Sequence, residues 1–262
     1  MPKLPLLKPS LVQKALRFLF SIYGFTIFLA VMFLLLPLFI ISFCLPSIKG
    51  GNMIFSLARF WADAFFIMTG IQYKPIWLTL VNPDVQYIFI SNHISYLDIP
   101  MMMKVVRKRG LRILGKSEMN KIPIFGSIYK RGTVSVNRKS SEARFESVAK
   151  LIEFLNKKIS IFICPEGTFN MTNQPLKFFY DGAFKIAIET QKPIQPILFL
   201  DTYDRLNYKS IFSLNPGLCR AVFLPATQTE GMKEEDMPGL KYAIYQQMET
   251  ALTEYKASWI KE

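Results

Sequence analysis

The chain has 262 residues, which is long enough for one large domain, or for a catalytic domain with a smaller anchoring element, and for a full hydrophobic core. Its three cysteines, Cys44, Cys164 and Cys219, are odd in number and widely spaced, a pattern typical of free thiols rather than of a disulfide scaffold or a clustered zinc site. The formal net charge of +13 indicates an anionic partner: a nucleic acid, an acidic membrane surface or a phosphorylated substrate.

The first predicted element is an apolar segment at residues 18–48, which contains no charged residue. As a helix this segment would extend about 46 Å, longer than the roughly 30 Å hydrocarbon core of a bilayer. Pro37 is expected to kink or break such a helix, and Pro46 is expected to end it. A single spanning helix and a re-entrant helical hairpin are therefore both open.

The flanks of this segment favour the hairpin. Basic residues occur before it, in residues 3–17, and after it, from Lys49 onward, so the positive-inside rule selects no single orientation. A hairpin with both ends on the cytoplasmic side suits both flanks. A cleaved signal peptide is disfavoured because its apolar part would be only about 7–15 residues long and would end in small residues, whereas this run ends in the bulky residues 43–46.

Residues 53–71 form the next apolar stretch, in which Arg59 and Asp63 share one helical face. This stretch is expected to be a helix that lies against the bilayer or against the following domain. We therefore assign residues 1–70 to a membrane-anchoring helical segment and residues 71–262 to an α/β domain. The apolar N-terminal run ties the basic surface to a bilayer, which disfavours nucleic acid as the partner.

Beyond residue 71, short β-branched and aromatic runs alternate with amphipathic stretches, a pattern that predicts a single α/β domain. The predicted strands cover residues 76–80, 87–91, 111–114, 133–136, 160–164, 194–200 and 221–224. The predicted helices cover residues 140–155, 182–189 and 234–259.

The only histidine of the chain, His93, directly follows the predicted strand 87–91. A lone histidine is more often structural, but reactive groups in α/β folds gather at the carboxyl ends of strands, and imidazole suits base chemistry near neutral pH. Asp98 is the expected partner. On one ideal helix, five residues of separation would place the two side chains about 140° apart. His93 is therefore expected to precede the helix that carries Asp98 in its first turns, where the helix dipole favours a carboxylate.

A second set of functional groups, Glu166, Gly167 and Thr168, follows the predicted strand 160–164. Glycine permits a ligand to approach the backbone closely, and the carboxylate and the hydroxyl can bind hydroxyl groups. Taken alone, this segment is more typical of a structural turn.

Most of the positive charge lies at residues 104–139, where eleven basic residues occur with a single acid, Glu118. Any single one of these residues is explained equally well as part of a solvent-exposed face that has no binding role. The cluster as a whole directly follows the candidate base, which indicates a surface that binds an anionic group.

Four motifs occur in a set order that carries a family resemblance. They are the H-x4-D pair of His93 and Asp98, GTVSVNR at 132–138, PEGT at 165–168 and KPIQPILF at 192–199. With them the chain resembles the glycerolipid acyltransferase family, in particular the bacterial 1-acylglycerol-3-phosphate acyltransferases, over roughly residues 85–200.

The resemblance implies a single mixed-sheet α/β acyltransferase domain, preceded by membrane-associated helices, at the cytoplasmic face of a membrane. It implies direct acyl transfer from acyl-CoA or acyl carrier protein to a lysophospholipid, foremost 1-acylglycerol-3-phosphate, which gives phosphatidic acid. His93 would deprotonate the glycerol 2-hydroxyl and Asp98 would orient His93. The substrate-binding residues that it implies are Lys116, Gly132, Arg138, Glu166, Gly167 and Thr168, with Arg138 on the acceptor phosphate. It implies no metal and no organic cofactor.

One departure from the family pattern follows the Glu-Gly-Thr turn, where the family commonly has arginine and serine and this chain has Phe169 and Asn170. Either Arg138, Lys116 and Lys177 hold the phosphate, or the acceptor lacks a glycerol phosphate, as a lyso-aminolipid does. A thioesterase or lipid hydrolase would direct the same base at water, but no G-x-S-x-G motif occurs. A non-catalytic protein that binds anionic membranes is the remaining alternative.

Overall fold

The structure is a computed structural model that describes residues 10–107, 110–137 and 140–260. Within these residues a seven-stranded sheet carries helices on both faces and follows two N-terminal helices. The strands are β1 (Ile71–Trp77), β2 (Ile88–Ser91), β3 (Leu111–Lys116), β4 (Thr133–Val136), β5 (Ser160–Ile163), β6 (Ile194–Phe199) and β7 (Gly217–Phe223). The helices are α1 (Leu11–Ile41), α2 (Ser47–Met68), α3 (Asp98–Val105), α4 (Phe125–Gly132), α5 (Ser141–Asn156), α6 (Gly182–Thr190), α7 (Thr202–Arg205) and α8 (Met237–Glu254).

The strand order is β1-β7-β6-β2-β5-β3-β4, and every neighbouring pair is parallel except β6 and β7. The predicted mixed sheet is therefore confirmed. Side chains of β2 alternate between two cores, because Ile88 and Ile90 pack with α5, α6 and α8 whereas Phe89 packs with α2 and α3. The parallel run β6, β2, β5, β3 and β4 brings the carboxyl ends of five strands to one edge of the sheet.

Five of the seven strand predictions agree with the structure to within two residues at either end, and the exceptions are β1 and β7. Both strands begin four or five residues before the predicted start. Lys74 and Pro75 interrupt the apolar pattern of β1, and Arg220 interrupts that of β7. Pro75 is tolerated because β1 lies at an end of the sheet, where a missing backbone donor costs little.

The N-terminal helices form an antiparallel hairpin. Trp61 Nε1 of α2 donates a hydrogen bond to the Phe28 carbonyl of α1 (3.2 Å), and the Tyr23 hydroxyl donates to the Met68 carbonyl (3.0 Å). By length and composition, one segment of the described chain, Leu11–Cys44, could cross a bilayer. The second helix, α2, covers most of the stretch predicted at residues 53–71, but it begins six residues earlier and ends three residues earlier.

Pro37 does not break α1, contrary to the expectation from the sequence, and the helix continues to Ile41. The hairpin expected within residues 18–48 therefore does not form there, and the observed hairpin pairs α1 with α2 instead. Proline removes one backbone hydrogen bond, but packing holds the turns on either side of it. Leu35 and Phe39 are buried against Ile54 of α2 and Ile128 of α4.

The hairpin lies directly on the α/β domain, because α2 packs against α3, α4 and β1. The guanidinium of Arg112, at the start of β3, is buried against α2 and donates to the Ile48 carbonyl (3.2 Å) and to Asn52 Oδ1 (2.9 Å). Asp63 of α2 forms ion pairs with Lys104 and Arg107. Arg59, predicted to share a face with Asp63, lies over the Phe55 ring.

Candidate functional site

His93 and Asp98 meet just after the end of β2. As the sequence predicts, His93 lies before helix α3 and Asp98 lies in its first turn. Helix α3 begins at Asp98, so His93 lies in the preceding loop. His93 Nδ1 is 2.9 Å from Asp98 Oδ2. An ionised carboxylate can only accept, which puts the shared proton on Nδ1 and leaves Nε2 with a free lone pair. The pair can therefore act as an oriented general base.

Backbone groups hold the Asp98 carboxylate in place. Its Oδ2 also accepts the N–H groups of Ile94 (2.7 Å) and Ser95 (2.8 Å), and the side chain is fully buried. These two N–H groups and the His93 ring nitrogen contact the same oxygen, which fixes the orientation of the carboxylate toward the histidine. The loop between His93 and Asp98 is thus folded around the carboxylate.

Glu166 joins this loop to the turn after β5. One carboxylate oxygen accepts the His93 N–H (2.8 Å) and the other accepts the Lys177 N–H (2.9 Å). Burial raises the pKa of Glu166 to about 8, although both backbone hydrogen bonds act to lower it. Because Glu166 is fully buried and its two oxygens accept backbone donors of different loops, the side chain positions two loops here.

Gly167 and Thr168 form a tight turn next to Glu166. Gly167 has φ of +71°, and a Cβ atom there would lie 2.7 Å from the Tyr180 ring, so both the conformation and the space require glycine. The Thr168 hydroxyl accepts a hydrogen bond from Lys177 Nζ (2.7 Å). The turn therefore places an ammonium and a hydroxyl beside the loop of the base.

Phe169 and Asn170, the two departures from the family pattern, contact His93 directly. The Phe169 ring lies 4.4 Å from the His93 ring, centroid to centroid, and Tyr96 packs edge-on against Phe169 at 5.1 Å. The backbone N–H of Asn170 donates to the His93 carbonyl (2.7 Å). Only 14% of the His93 side chain is exposed as a result, which limits the access of water to the base.

The remaining predicted substrate-binding residues lie in different places. Lys116 ends β3 at the same edge of the sheet and is exposed. Gly132 precedes β4 and so lies at the opposite edge, where a Cβ atom would be 2.9 Å from Ile54 of α2. Its small size serves the packing of α4 on the hairpin, and the structure does not bring it to the site. Arg138 lies outside the described residues.

One residue of this edge was missed by reasoning from the sequence. The Asn92 amide donates to the Phe199 carbonyl (3.1 Å) and accepts from the Phe199 N–H (2.8 Å), and it is buried. These two hydrogen bonds join the start of the loop that carries His93 to β6. A polar amide directly after a buried strand and before the only histidine is the signal that would have found it.

Among the described residues, no group of three or more His, Cys, Asp or Glu side chains could hold a metal ion. The expectation that no metal or organic cofactor takes part stays a prediction. What the described groups can do is remove a proton through His93 while nearby polar groups of the Thr168 turn bind a second part of the substrate.

Comparisons with known proteins show what the chain is similar to. A family model named Acyltransferase matches residues 77–200. Mouse 1-acyl-sn-glycerol-3-phosphate acyltransferase alpha is 30% identical over 174 residues, which are 66% of this chain and 60% of the mouse protein. Human 1-acyl-sn-glycerol-3-phosphate acyltransferase beta is 30% identical over 164 residues, 62% of this chain and 58% of that protein. The chain thus spans about 60% of the length of the mouse relative.

The fold has a counterpart in the crystal structure of the 1-acyl-sn-glycerophosphate (LPA) acyltransferase PlsC from Thermotoga maritima. The TM-score is 0.70 at 20% sequence identity, with 95% of this chain and 99% of that chain covered. The sheet, the base loop and the family model together define an acyltransferase domain. Residues 77–200 match the acyltransferase family that the motif order indicated, and the mouse and human relatives support that family for the chain.

Proposed function

We propose that the protein transfers a fatty acyl group from acyl-CoA or acyl carrier protein to the 2-hydroxyl of 1-acylglycerol-3-phosphate, forming phosphatidic acid. The observation that carries the proposal is the His93–Asp98 pair with Nε2 free. The named activities of the mouse and human relatives supply the substrate class.

In the proposed reaction, His93 Nε2 takes the proton of the acceptor hydroxyl as its oxygen attacks the thioester carbonyl carbon. Asp98 stabilises the imidazolium that forms. The tetrahedral intermediate collapses with cleavage of the C–S bond, and the imidazolium returns the proton to the thiolate. Phe169 covers the imidazole, which favours a lipid hydroxyl over water as the nucleophile.

The proposal includes attachment at the cytoplasmic face of a membrane through α1. Apolar side chains of this helix are largely exposed, among them Leu34 at 74% and Phe25 at 61%. An apolar helix that is exposed to this extent is stable only when it is covered by a bilayer or by detergent.

The test is to incubate the full-length protein, in detergent micelles, with a panel of lysolipids and with each acyl donor, and to identify products by mass. We expect acylation of 1-acylglycerol-3-phosphate by the wild-type protein and a loss of roughly 10²-fold or more in His93→Ala. Release of free thiol without any acceptor would indicate a thioesterase instead. No acylation of any lysolipid by the wild-type protein, with binding to anionic membranes unchanged in His93→Ala, would indicate a non-catalytic membrane protein.

A second acceptor class is favoured by one observation, the presence of Phe169 against His93 where the family commonly has arginine. A lyso-aminolipid with a free hydroxyl on its acyl chain would need no phosphate ligand at that position. Acylation of such a lipid, with none of lysophosphatidate, would support this acceptor and leave the base chemistry unchanged.

A further inference from the structure

Lys177 is a cation held in place without an anion. Its Nζ donates to the neutral Thr168 hydroxyl (2.7 Å), and its backbone N–H donates to Glu166 (2.9 Å). Among the residues that the structure describes, no carboxylate lies within ion-pair distance of its ammonium. The side chain is half-buried. Glu166 acts on this ammonium only from beyond ion-pair distance. A half-buried ammonium without a direct ion pair is a place that an anionic ligand can fill.

Two independent links connect this cation to the base. Glu166 accepts the backbone N–H of His93 on one oxygen and that of Lys177 on the other. The second link runs through the turn, because Thr168, which binds the ammonium, is followed by Phe169, whose ring packs on the His93 ring. The segments that carry the ammonium and the imidazole are therefore joined by short contacts.

A lysophosphatidate needs this arrangement of charges. In 1-acylglycerol-3-phosphate four covalent bonds separate the reacting 2-hydroxyl oxygen from the phosphorus atom, so the base and the phosphate ligand must lie close together. A lysine ammonium is a compact point charge that can bind a phosphate without the planar fork of arginine. Phe169 stands where the family commonly has arginine, so the phosphate needs another cation. The Lys177 ammonium, which contacts the Thr168 hydroxyl, is such a cation.

We infer that Lys177 binds the phosphate of the acceptor and thereby selects an anionic lysolipid, with Glu166 as the positioning residue that sets its distance from His93. This inference rests on the proposed function. Lys177 is the specificity-determining residue, and the Thr168 hydroxyl holds its ammonium until the phosphate replaces or joins that bond.

The test compares Lys177→Met with Lys177→Arg in the full-length protein, using 1-oleoylglycerol-3-phosphate as acceptor. Loss of one charge-assisted hydrogen bond is expected to raise the KM for this acceptor by about 10- to 100-fold in Lys177→Met, with a smaller change in kcat. Lys177→Arg should restore much of the affinity. The matched control is Lys150→Met, since Lys150 is exposed on α5; it should change neither constant.

A second measurement separates phosphate binding from general damage. Glycerol 3-phosphate should inhibit the wild-type enzyme competitively with the lysolipid, and Lys177→Met should weaken that inhibition about tenfold or more. An equal loss of kcat in Lys177→Met and Lys177→Arg, with inhibition unchanged, would overturn the inference and mark Lys177 as structural. An unchanged KM in Lys177→Met would also overturn it while the proposed function stands. If the wild-type protein acylates no lysophosphatidate, the proposed function itself fails, whatever the variants do.

Discussion

Two regions of the molecule bury charged side chains, and they do so in opposite ways. At the site, the carboxylates of Asp98 and Glu166 are buried and accept backbone N–H groups of the adjoining loops. At the junction between the hairpin and the sheet, the guanidinium of Arg112 is buried and donates to the Ile48 carbonyl and the Asn52 side chain.

Burial acts on both regions in the same direction, since it disfavours the charged form. It raises the pKa of Glu166 to about 8 and lowers the pKa of Arg112 to about 10. The consequences differ because the bonded groups differ. The site carboxylates shape loops that carry His93 and Lys177, whereas Arg112 joins elements about 60 residues apart in the chain. The comparison predicts that site variants change rate and that junction variants change stability.

The largest expected effect is on the rate. We expect His93→Ala to lower kcat by roughly 10²-fold or more, because no other described imidazole can take the proton, and Asp98→Asn to approach it, because a neutral amide does not stabilise imidazolium. The measurement is acyl transfer to lysophosphatidate under saturating donor. Thermal unfolding of His93→Ala should remain near that of the wild type. A large loss of stability in His93→Ala would contradict the division between the regions.

The second-largest expected effect is a pH dependence of the free energy of unfolding. It arises from Glu166 at the site and not from Arg112 at the junction. The pKa of Glu166 is about 8 in the folded state and near 4.5 when unperturbed, so folding favours the protonated form. Its contribution is complete below about pH 4.5 and is lost as the pH rises through about 8. The free energy of unfolding should therefore fall between these limits by up to about 1.4 kcal/mol per pH unit.

Urea denaturation from pH 5 to pH 8.5 measures this slope, and Glu166→Gln should flatten it. Arg112 stays protonated throughout that range, because its lowered pKa is still about 10. Arg112→Met should therefore keep the wild-type slope. Equal slopes in the wild type and Glu166→Gln would show that another group titrates.

At the junction we expect Arg112→Met to lower the free energy of unfolding by about 1–3 kcal/mol, since the Asn52 and Ile48 oxygens lose their donor. The value of kcat should stay near that of the wild type. Urea denaturation at pH 7 and initial rates on the same preparation test both parts. A fall in kcat comparable with that of Asp98→Asn would mean that the hairpin sets the geometry of the site.

The smallest effect concerns the aromatic cover of the base. Phe169→Ala removes the ring that lies 4.4 Å from the His93 ring, which should let water reach the imidazole. We expect the release of free CoA without acceptor to rise a few-fold, measured with a thiol reagent. Phe169→Leu, which keeps an apolar side chain, is the matched control and should stay close to the wild type.

The pairing of His93 with Asp98 was predictable because the two residues are close in the sequence. Asp98 lies five positions after His93, and this spacing alone required a loop before the helix, which the structure has. The roles of His93 and of the substrate-binding residues stay predictions, as does the boundary at residue 70. Gly132 belongs to a motif that the sequence presents as one unit, yet it precedes β4 and so lies at the edge of the sheet opposite His93.

The sequence by itself determined the α/β alternation, the apolar N-terminal segment and the pairing of the only histidine with Asp98. These depend on periodicity and on local spacing, which a linear chain displays directly. Only the tertiary structure decided that β1 pairs with β7, that α1 passes through Pro37, and that Glu166 links His93 to Lys177. Each of these rests on contacts between distant segments, where burial and packing override local preference.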